Sequence, residues 1–147
     1  ASLLIRTRRT LYGLHESLVV LTEEGLETSW DRHMRNHNAL KAGIEAMGLT
    51  FVVPEAERLP QLNLVSIPDG IDEGSVRKQL LEQYNLEIGA GLGGLAGKVW
   101  RIGLMGYASN PKNVLLCVNA LEAVLSQCNA HINKGVATSA IQASYSH

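Results

Sequence analysis

Cysteine is scarce in this chain: Cys117 and Cys128 are the only two among 147 residues. Both fall in one predicted helix, eleven positions apart, which at helical rise separates them by about 16 Å, beyond disulfide reach. That excludes a disulfide framework within the helix and a cysteine-based metal site, and two free thiols fit a reducing compartment. Long apolar runs are missing as well. No stretch approaches the ~18–20 residues of a membrane span. Nor is there an excess of one charge. Thirteen basic and 14 acidic side chains leave a net charge of −1, and the one basic cluster is Arg6, Arg8 and Arg9, which argues against nucleic acid as a partner. No standard targeting signal is clear either. The Ala1-Ser-Leu-Leu-Ile5 stretch is too short for a secretory h-region, and its positive charges follow it instead of preceding it. The final Ser144-Tyr-Ser-His147 is not of the peroxisomal Ser-Lys-Leu type. An intracellular setting, cytoplasmic or organellar, is expected.

What is present is enough apolar material for a core, 46% of residues. Leu11, Leu14, Leu18 and Leu21 recur at three and four and predict a helix over residues 10–24. Gly25 interrupts it. Leu26, Trp30, His33, His37, Leu40, Ile44 and Met47 form one stripe that predicts a second helix, ended by Gly48 as a C-cap. Short strands are expected at Leu49–Val53, Leu62–Ile67, Leu86–Ile88 and Val99–Met105. Pro54 and Pro60 bracket a loop, and Pro68-Asp-Gly70 is a turn signal. Between the second and third strands a helix is expected over residues 73–84, with Val76, Leu80 and Leu81 on its buried side. Asn110-Pro111 reads as the N-cap and first position of a last helix to about Cys128, with Val114, Val118, Leu121 and Leu125 inward. The order is helix, helix, β, β, α, β, β, α. It predicts a two-layer α+β domain with a short, largely antiparallel sheet covered by helices. Residues 129–147 carry no firm period and are expected to be a poorly ordered tail.

The stretch from Gly89 to Gly106 carries the chemistry. A glycine-dense loop runs into an apolar strand with Arg101 at its middle. Arginine keeps its charge at any workable pH, and a buried charge without a partner is costly, so Arg101 requires an anion. That anion could be Glu87 or another carboxylate of the sheet. Alternation puts Val99, Arg101 and Gly103 on one face and Trp100, Ile102 and Leu104 on the other. Gly103 leaves room beside Arg101, which favours a ligand carboxylate held bidentately. The Gly89-x-Gly91-x-x-Gly94 pattern is not a dinucleotide site, because a strand follows where a helix must begin. Gly97-Lys98 is not a P-loop end, because Leu92 and Val99 stand where glycine and Ser or Thr are needed. His33 and His37, four apart, have the spacing of zinc ligands but no intervening glutamate and no evident third ligand. They read as interface packing residues with hydrogen-bond partners. His15 has no nucleophile placed beside it.

The blocks Leu11-Tyr-Gly-Leu-His-Glu16, Glu23-Glu-Gly-Leu-Glu27, Arg58-Leu-Pro60, Leu86-Glu-Ile88, Gly91-Leu-Gly93, Gly97-Lys-Val-Trp-Arg-Ile-Gly-Leu-Met-Gly106 and Asn113-Val114 stand in that order. Together, over about residues 11–128, they resemble the C-terminal part of alanine–glyoxylate (serine–pyruvate) aminotransferases, the class V pyridoxal-phosphate enzymes. The resemblance implies the small domain of a fold-type-I enzyme, preceded by helices that join it to the large domain. It implies a homodimer and transfer of an amino group between small amino and oxo acids by a ping-pong route. It implies that Arg101 grips the substrate carboxylate and that Gly91, Leu92 and Gly93 lie close to the same site. The partners implied are a large domain or a second copy of the chain.

The departures from the family bear on activity. Its Schiff-base lysine belongs to the large domain, and none of Lys41, Lys78, Lys98, Lys112 and Lys134 matches that motif. Pyridoxal phosphate is therefore expected with the full-length family and not on this chain alone, which is expected to be inactive by itself. Residues 1–10 do not resemble the family's preceding segment, Gly93-Gly94 replaces the usual Gly-Pro, and residues after Cys128 have no counterpart. The alternative is a stand-alone carboxylate-binding or dimerising module.

Overall fold

A computed structural model describes residues 9–146 in full and residues 2–8 as backbone of the first helix. Readings that rest on Ala1, on His147 or on the side chains of Arg6 and Arg8 lie outside the described residues. The chain divides into two compact units, Ala1–Arg32 and His33–His147.

The first unit holds helix α1 (Ser2–Glu24) and the first turns of α2 (Leu26–Ala46). Gly25 separates them at φ +86°, a left-handed conformation that costs glycine little. Arg32 clamps the bend by a two-pronged pair with Glu24, whose second bond is 2.9 Å long. Leu11, Leu14 and Leu18 of α1 are exposed, as are Leu26 and Trp30 of α2. The predicted apolar stripe of α2 is therefore buried only from His33 onward.

In the second unit Leu40, Ile44 and Met47 enter the core, and Gly48 ends the helix at φ +84°. Strand β1 (Leu62–Ser66), helix α3 (Glu73–Tyr84), strands β2 (Gly89–Ala90) and β3 (Val99–Gly103), and helices α4 (Pro111–Gln127) and α5 (Ala137–Tyr145) follow. The three strands are antiparallel in the order β1-β3-β2. This is the expected α+β small domain, with one strand fewer and one helix more than the sequence predicts.

The missing strand is Leu49–Val53. It runs beside β1 but makes a single bridge, Phe51 to Val65, supported by Val52 N–H donating to Leu64 O at 3.0 Å and Ser66 N–H to Thr50 O at 2.8 Å. The helix cap at Gly48 and Pro54 leave it too short for a ladder. The strand expected at Leu86–Ile88 forms later and shorter, because its first residues close α3. Asn85 adopts the left-handed conformation at φ +51°, and Leu86 N–H bonds back to Leu80 O at 3.2 Å, a Schellman-type closure. Only at Gly89 is the chain free to pair with β3. Leu81, expected inside, is 48% exposed; Val76 and Leu80 are the buried residues of α3, with Tyr84 packed partly against the core.

The α4 N-cap is as predicted, and α3 has one that the sequence reading did not name. Asn110 accepts from Asn113 N–H at 2.9 Å, with Pro111 next, and Asp72 caps α3 by accepting from Ser75 N–H at 2.7 Å. All four expected inward residues of α4 are buried. The tail expected at residues 129–147 is corrected: α5 places Ala137 and Ile141, both fully buried, in the core. Its small residues hid the pattern, since Ala137 and Ile141 are its buried side chains and Tyr145 adds only a partly buried ring. Gly43 of α2 lets it come close. A Cβ there would meet Ile141 Cγ1 at 2.8 Å and Val118 Cγ1 at 3.0 Å. The core joins one sheet face (Val65, Trp100, Ile102) to α2, α3, α4 and α5 through Leu40, Leu80, Leu121 and Ile141.

Candidate functional site

Arg101 occupies the centre of the central strand. It lies opposite Leu64 of β1 and Gly89 of β2, on the face turned away from Trp100 and Ile102. That alternation is the one the sequence predicts, save that Val99 is buried although it shares the arginine face. Arg101 is half-buried. Its Nε–H donates to Ala90 O at 2.7 Å, which anchors one corner of the guanidinium and leaves Nη1 and Nη2 side by side. The group lies across Gly89, where a Cβ would come within 3.2 Å of both Nε and Nη2. Among the described residues no carboxylate is within ion-pair distance of Arg101. Glu87, the partner considered from sequence, instead strengthens the charge of Arg77, whose guanidinium is held above its ordinary value first by hydrogen bonds to Glu73.

The glycine loop is only partly drawn to this arginine. Gly91 is buried, and its N–H donates to Val99 O at 3.0 Å, extending the β2–β3 pairing. A Cβ at Gly91 would lie 2.0 Å from Leu95 O, so the loop closes tightly on itself there. Leu92 and Gly93 are exposed, and among the described residues no hydrogen bond ties either to Arg101. Gly93 and Gly97 take φ of +55° and +70°. Beyond β3, Gly103 is exposed, and Met105 folds back so that its Cε lies 3.1 Å from where a Gly103 Cβ would stand. The room next to Arg101 is thus roofed in part by a flexible thioether.

The two histidines of α2 serve as hydrogen-bonding side chains, and among the described residues no His, Cys, Asp and Glu group could hold a metal. His33 Nε2 accepts from Gly106 N–H at 3.1 Å, which puts the proton of the neutral ring on Nδ1. His37 Nδ1 lies 2.7 Å from Asn63 Oδ1. Asn63 sits opposite Ile102 and donates Nδ2–H to Pro60 O at 3.3 Å and Ile102 O at 3.4 Å, so its oxygen accepts and His37 donates. Burial holds the His37 imidazole below its ordinary value of 6.5; the Asn63 bond opposes this, while Arg58 and Lys41 reinforce it. A second buried relay runs from Tyr145 O–H to Asn36 Oδ1 at 2.7 Å and from Asn36 Nδ2–H to Ser109 Oγ at 3.2 Å. Burial pushes the Tyr145 hydroxyl up to about 12.

Sequence reasoning singles out Arg101, Gly91, Leu92 and Gly93. It missed Gly89, Ala90 and Asn63, which hold the arginine and its strand. The signal for Gly89 was present, since alternation places it on the arginine face. Asn63, a lone amide in an apolar strand, was the other available sign. His15 is exposed. Of the lysines, Lys41 pairs with Glu55, and Lys78, Lys98, Lys112 and Lys134 are exposed. Among the described residues no helix is long and apolar enough to cross a membrane.

No family model matches the chain. Curated relatives do. The chain is 48% identical over 130 residues to (S)-ureidoglycine–glyoxylate transaminase of Bacillus subtilis, covering 88% of this chain and 31% of that protein. It is 42% identical over 120 residues to alanine–glyoxylate aminotransferase of Callithrix jacchus, covering 81% of this chain and 29% of the relative. The solved ureidoglycine–glyoxylate aminotransferase of B. subtilis superposes with a TM-score of 0.90 at 46% identity, over 93% of this chain and 35% of that one. Pyridoxamine–pyruvate aminotransferase of Mesorhizobium loti superposes with a TM-score of 0.83 at 29% identity, over 88% of this chain and 33% of that one. The chain thus spans about a third of the length of these relatives.

Proposed function

From its membership of the class V aminotransferase family, whose C-terminal small domain it matches, we propose that this chain supplies the carboxylate-binding half of an aminotransferase site. The observation that carries the reading is the state of Arg101. It is a half-buried guanidinium on a central strand, anchored at one corner by Ala90 O, with no protein carboxylate in reach among the described residues. Its Nη1 and Nη2 present the planar fork that fits a carboxylate end-on. The ligand class is the small amino and oxo acids, such as alanine, serine, glyoxylate and pyruvate. Gly89 and Gly103 keep the arginine face open to them, and Gly91 shapes the loop beside it. Leu92 and Gly93, exposed at the loop tip, belong to the side of the site that a second domain would close.

Arg101 binds and orients; it does not transform. Pyridoxal phosphate, the cofactor of the family, supplies the electron sink for amino-group transfer when bound. That chemistry would call for a lysine amine activated by desolvation or by a neighbouring cation. The lysines of this chain are solvent-exposed or ion-paired to Glu55 and none stands on the arginine face, so these residues do not fit the cofactor. The proposed activity requires the family's large domain as partner. The test is calorimetric titration of the chain with pyruvate and glyoxylate. Arg101→Lys loses the fork and should weaken binding by about tenfold or more, and Arg101→Ala should abolish it. Equal affinities in all three proteins would refute the assignment.

The exposed Leu11, Leu14 and Leu18 of α1 favour a second role, an apolar seam for the large domain or a second copy of the chain. Sedimentation of the isolated chain separates the two: self-association supports the second copy, and a monomer at high concentration removes it.

A further inference from the structure

We propose that His37 is a positioning residue for Arg101, acting through Asn63, and that it makes the stance of the arginine depend on pH. The inference rests on Arg101 being the carboxylate-binding group. Three observations carry it. First, Asn63 is 2% exposed and reaches across the β1–β3 pairing to the carbonyl of Ile102, next to Arg101. Second, His37, together with the two carbonyls that receive the amide nitrogen, fixes which way that amide points. Its Nδ1–H donates at 2.7 Å to the amide oxygen, which turns the amide nitrogen towards Ile102 and Pro60. A flipped amide would set an oxygen against two carbonyl oxygens. Third, the surroundings are built for a neutral ring. His37 is 6% exposed and has the Phe51 ring edge-on at 6.4 Å. The charged groups that act on it are Lys41 on its own helix, Glu55 in the 3-10 turn after Pro54, and Arg58 beyond that turn. Two of the three repel a cation, and Glu55 is already engaged by Lys41.

A proton on Nε2 therefore creates a charge that this site does not solvate. The ring relieves it by leaving the site, which releases the Asn63 amide and the hold on the Ile102 carbonyl. Arg101 then loses its fixed orientation from the strand below, and the bond from its Nε–H to Ala90 O opens more often.

The readout is the Arg101 Nε–H, followed by NMR hydrogen exchange as a protection factor, so that the intrinsic pH dependence of exchange is divided out. In the wild-type chain, protection should fall by about three- to tenfold, the range of one hydrogen bond, as His37 titrates. His37→Asn places an amide donor near Nδ1 and cannot titrate; it should keep the protection and lose the pH dependence. His37→Leu should be low at all pH values. A merely structural His37 would give no rescue and no flattened profile in His37→Asn. The proposal is overturned if His37→Leu leaves Arg101 as protected as in the wild type, or if His37→Asn still loses protection on acidification. Should His37→Leu fail to fold, the His37→Asn profile decides. A pyruvate titration on the same samples keeps the two readings apart. A chain that binds no carboxylate but shows the His37-dependent protection refutes the proposed function and leaves this coupling in place.

Discussion

Gly43 and Ile141 form a pair whose energies can be worked from contact distances. Ile141 is fully buried at the α2–α4–α5 junction, so Ile141→Ala should cost about 2–4 kcal/mol, the range for a large aliphatic truncated in a packed core. Gly43→Ala alone carries two opposed effects. Replacing a helical glycine gains about 1 kcal/mol of helix propensity. The new methyl, however, would sit 2.8 and 2.9 Å from Ile141 Cγ1 and Cδ1, and overpacking of this kind costs about 1–3 kcal/mol. The single variant should be neutral to destabilising. In the Ile141→Ala background both crowding atoms are gone, and only Val118 Cγ1 at 3.0 Å must give slightly. There Gly43→Ala should stabilise by about 1–2 kcal/mol, from propensity plus a buried methyl. The double-mutant cycle should therefore show a favourable coupling of about 2 kcal/mol. Urea unfolding measures it, followed by fluorescence of Trp100, which is fully buried while Trp30 is exposed. Additive effects, or an Ile141→Ala cost below about 0.5 kcal/mol, would refute the packing of α5 described above.

Other outcomes follow from the same structure. Because burial lowers the folded-state value of His37 below 6.5, the unfolded chain takes up its proton first on acidification. His37 thus contributes stability that is fully present above pH 6.5 and is lost as pH falls towards the folded value; His37→Asn should remove that component from a stability profile between pH 7.5 and 5. Burial also pushes the Cys117 thiol up to about 12, so a thiol reagent at neutral pH should label the half-buried Cys128 first and reach Cys117 only as the chain unfolds. Asn110→Ala removes the α4 cap and should cost about 1 kcal/mol, with Asn110→Ser recovering most of it.

Much of this fold was legible because the sequence states it locally. The Asn110-Pro111 cap, the left-handed glycines at 25 and 48, and the alternation around Arg101 each carry a single physical meaning, and each is found where expected. The failures share a cause, which is competition for the same residues. Leu49–Val53 has strand composition but is spent between a helix cap and a proline. Leu86 is spent closing α3. Helix α5 was missed because Ala137, Ile141 and the half-buried Tyr145 are too few to set a period, and the space that receives Ile141 is created by a glycine almost a hundred residues earlier. At the site, the arginine was visible as a charge out of place, whereas its supports were not. Gly89 and Ala90 act by lacking bulk and by offering a backbone oxygen, and neither property marks a sequence.

The manner in which the small sheet ends on both sides has a practical consequence. Beyond β1 lies the Thr50–Val52 segment, bonded at two points, and on the far side β2 offers only two residues. Neither border presents the long row of free donors and acceptors on which sheets of separate molecules zip together. The unit His33–His147 should therefore carry little risk of strand-to-strand aggregation when the protein is concentrated or fused to other proteins.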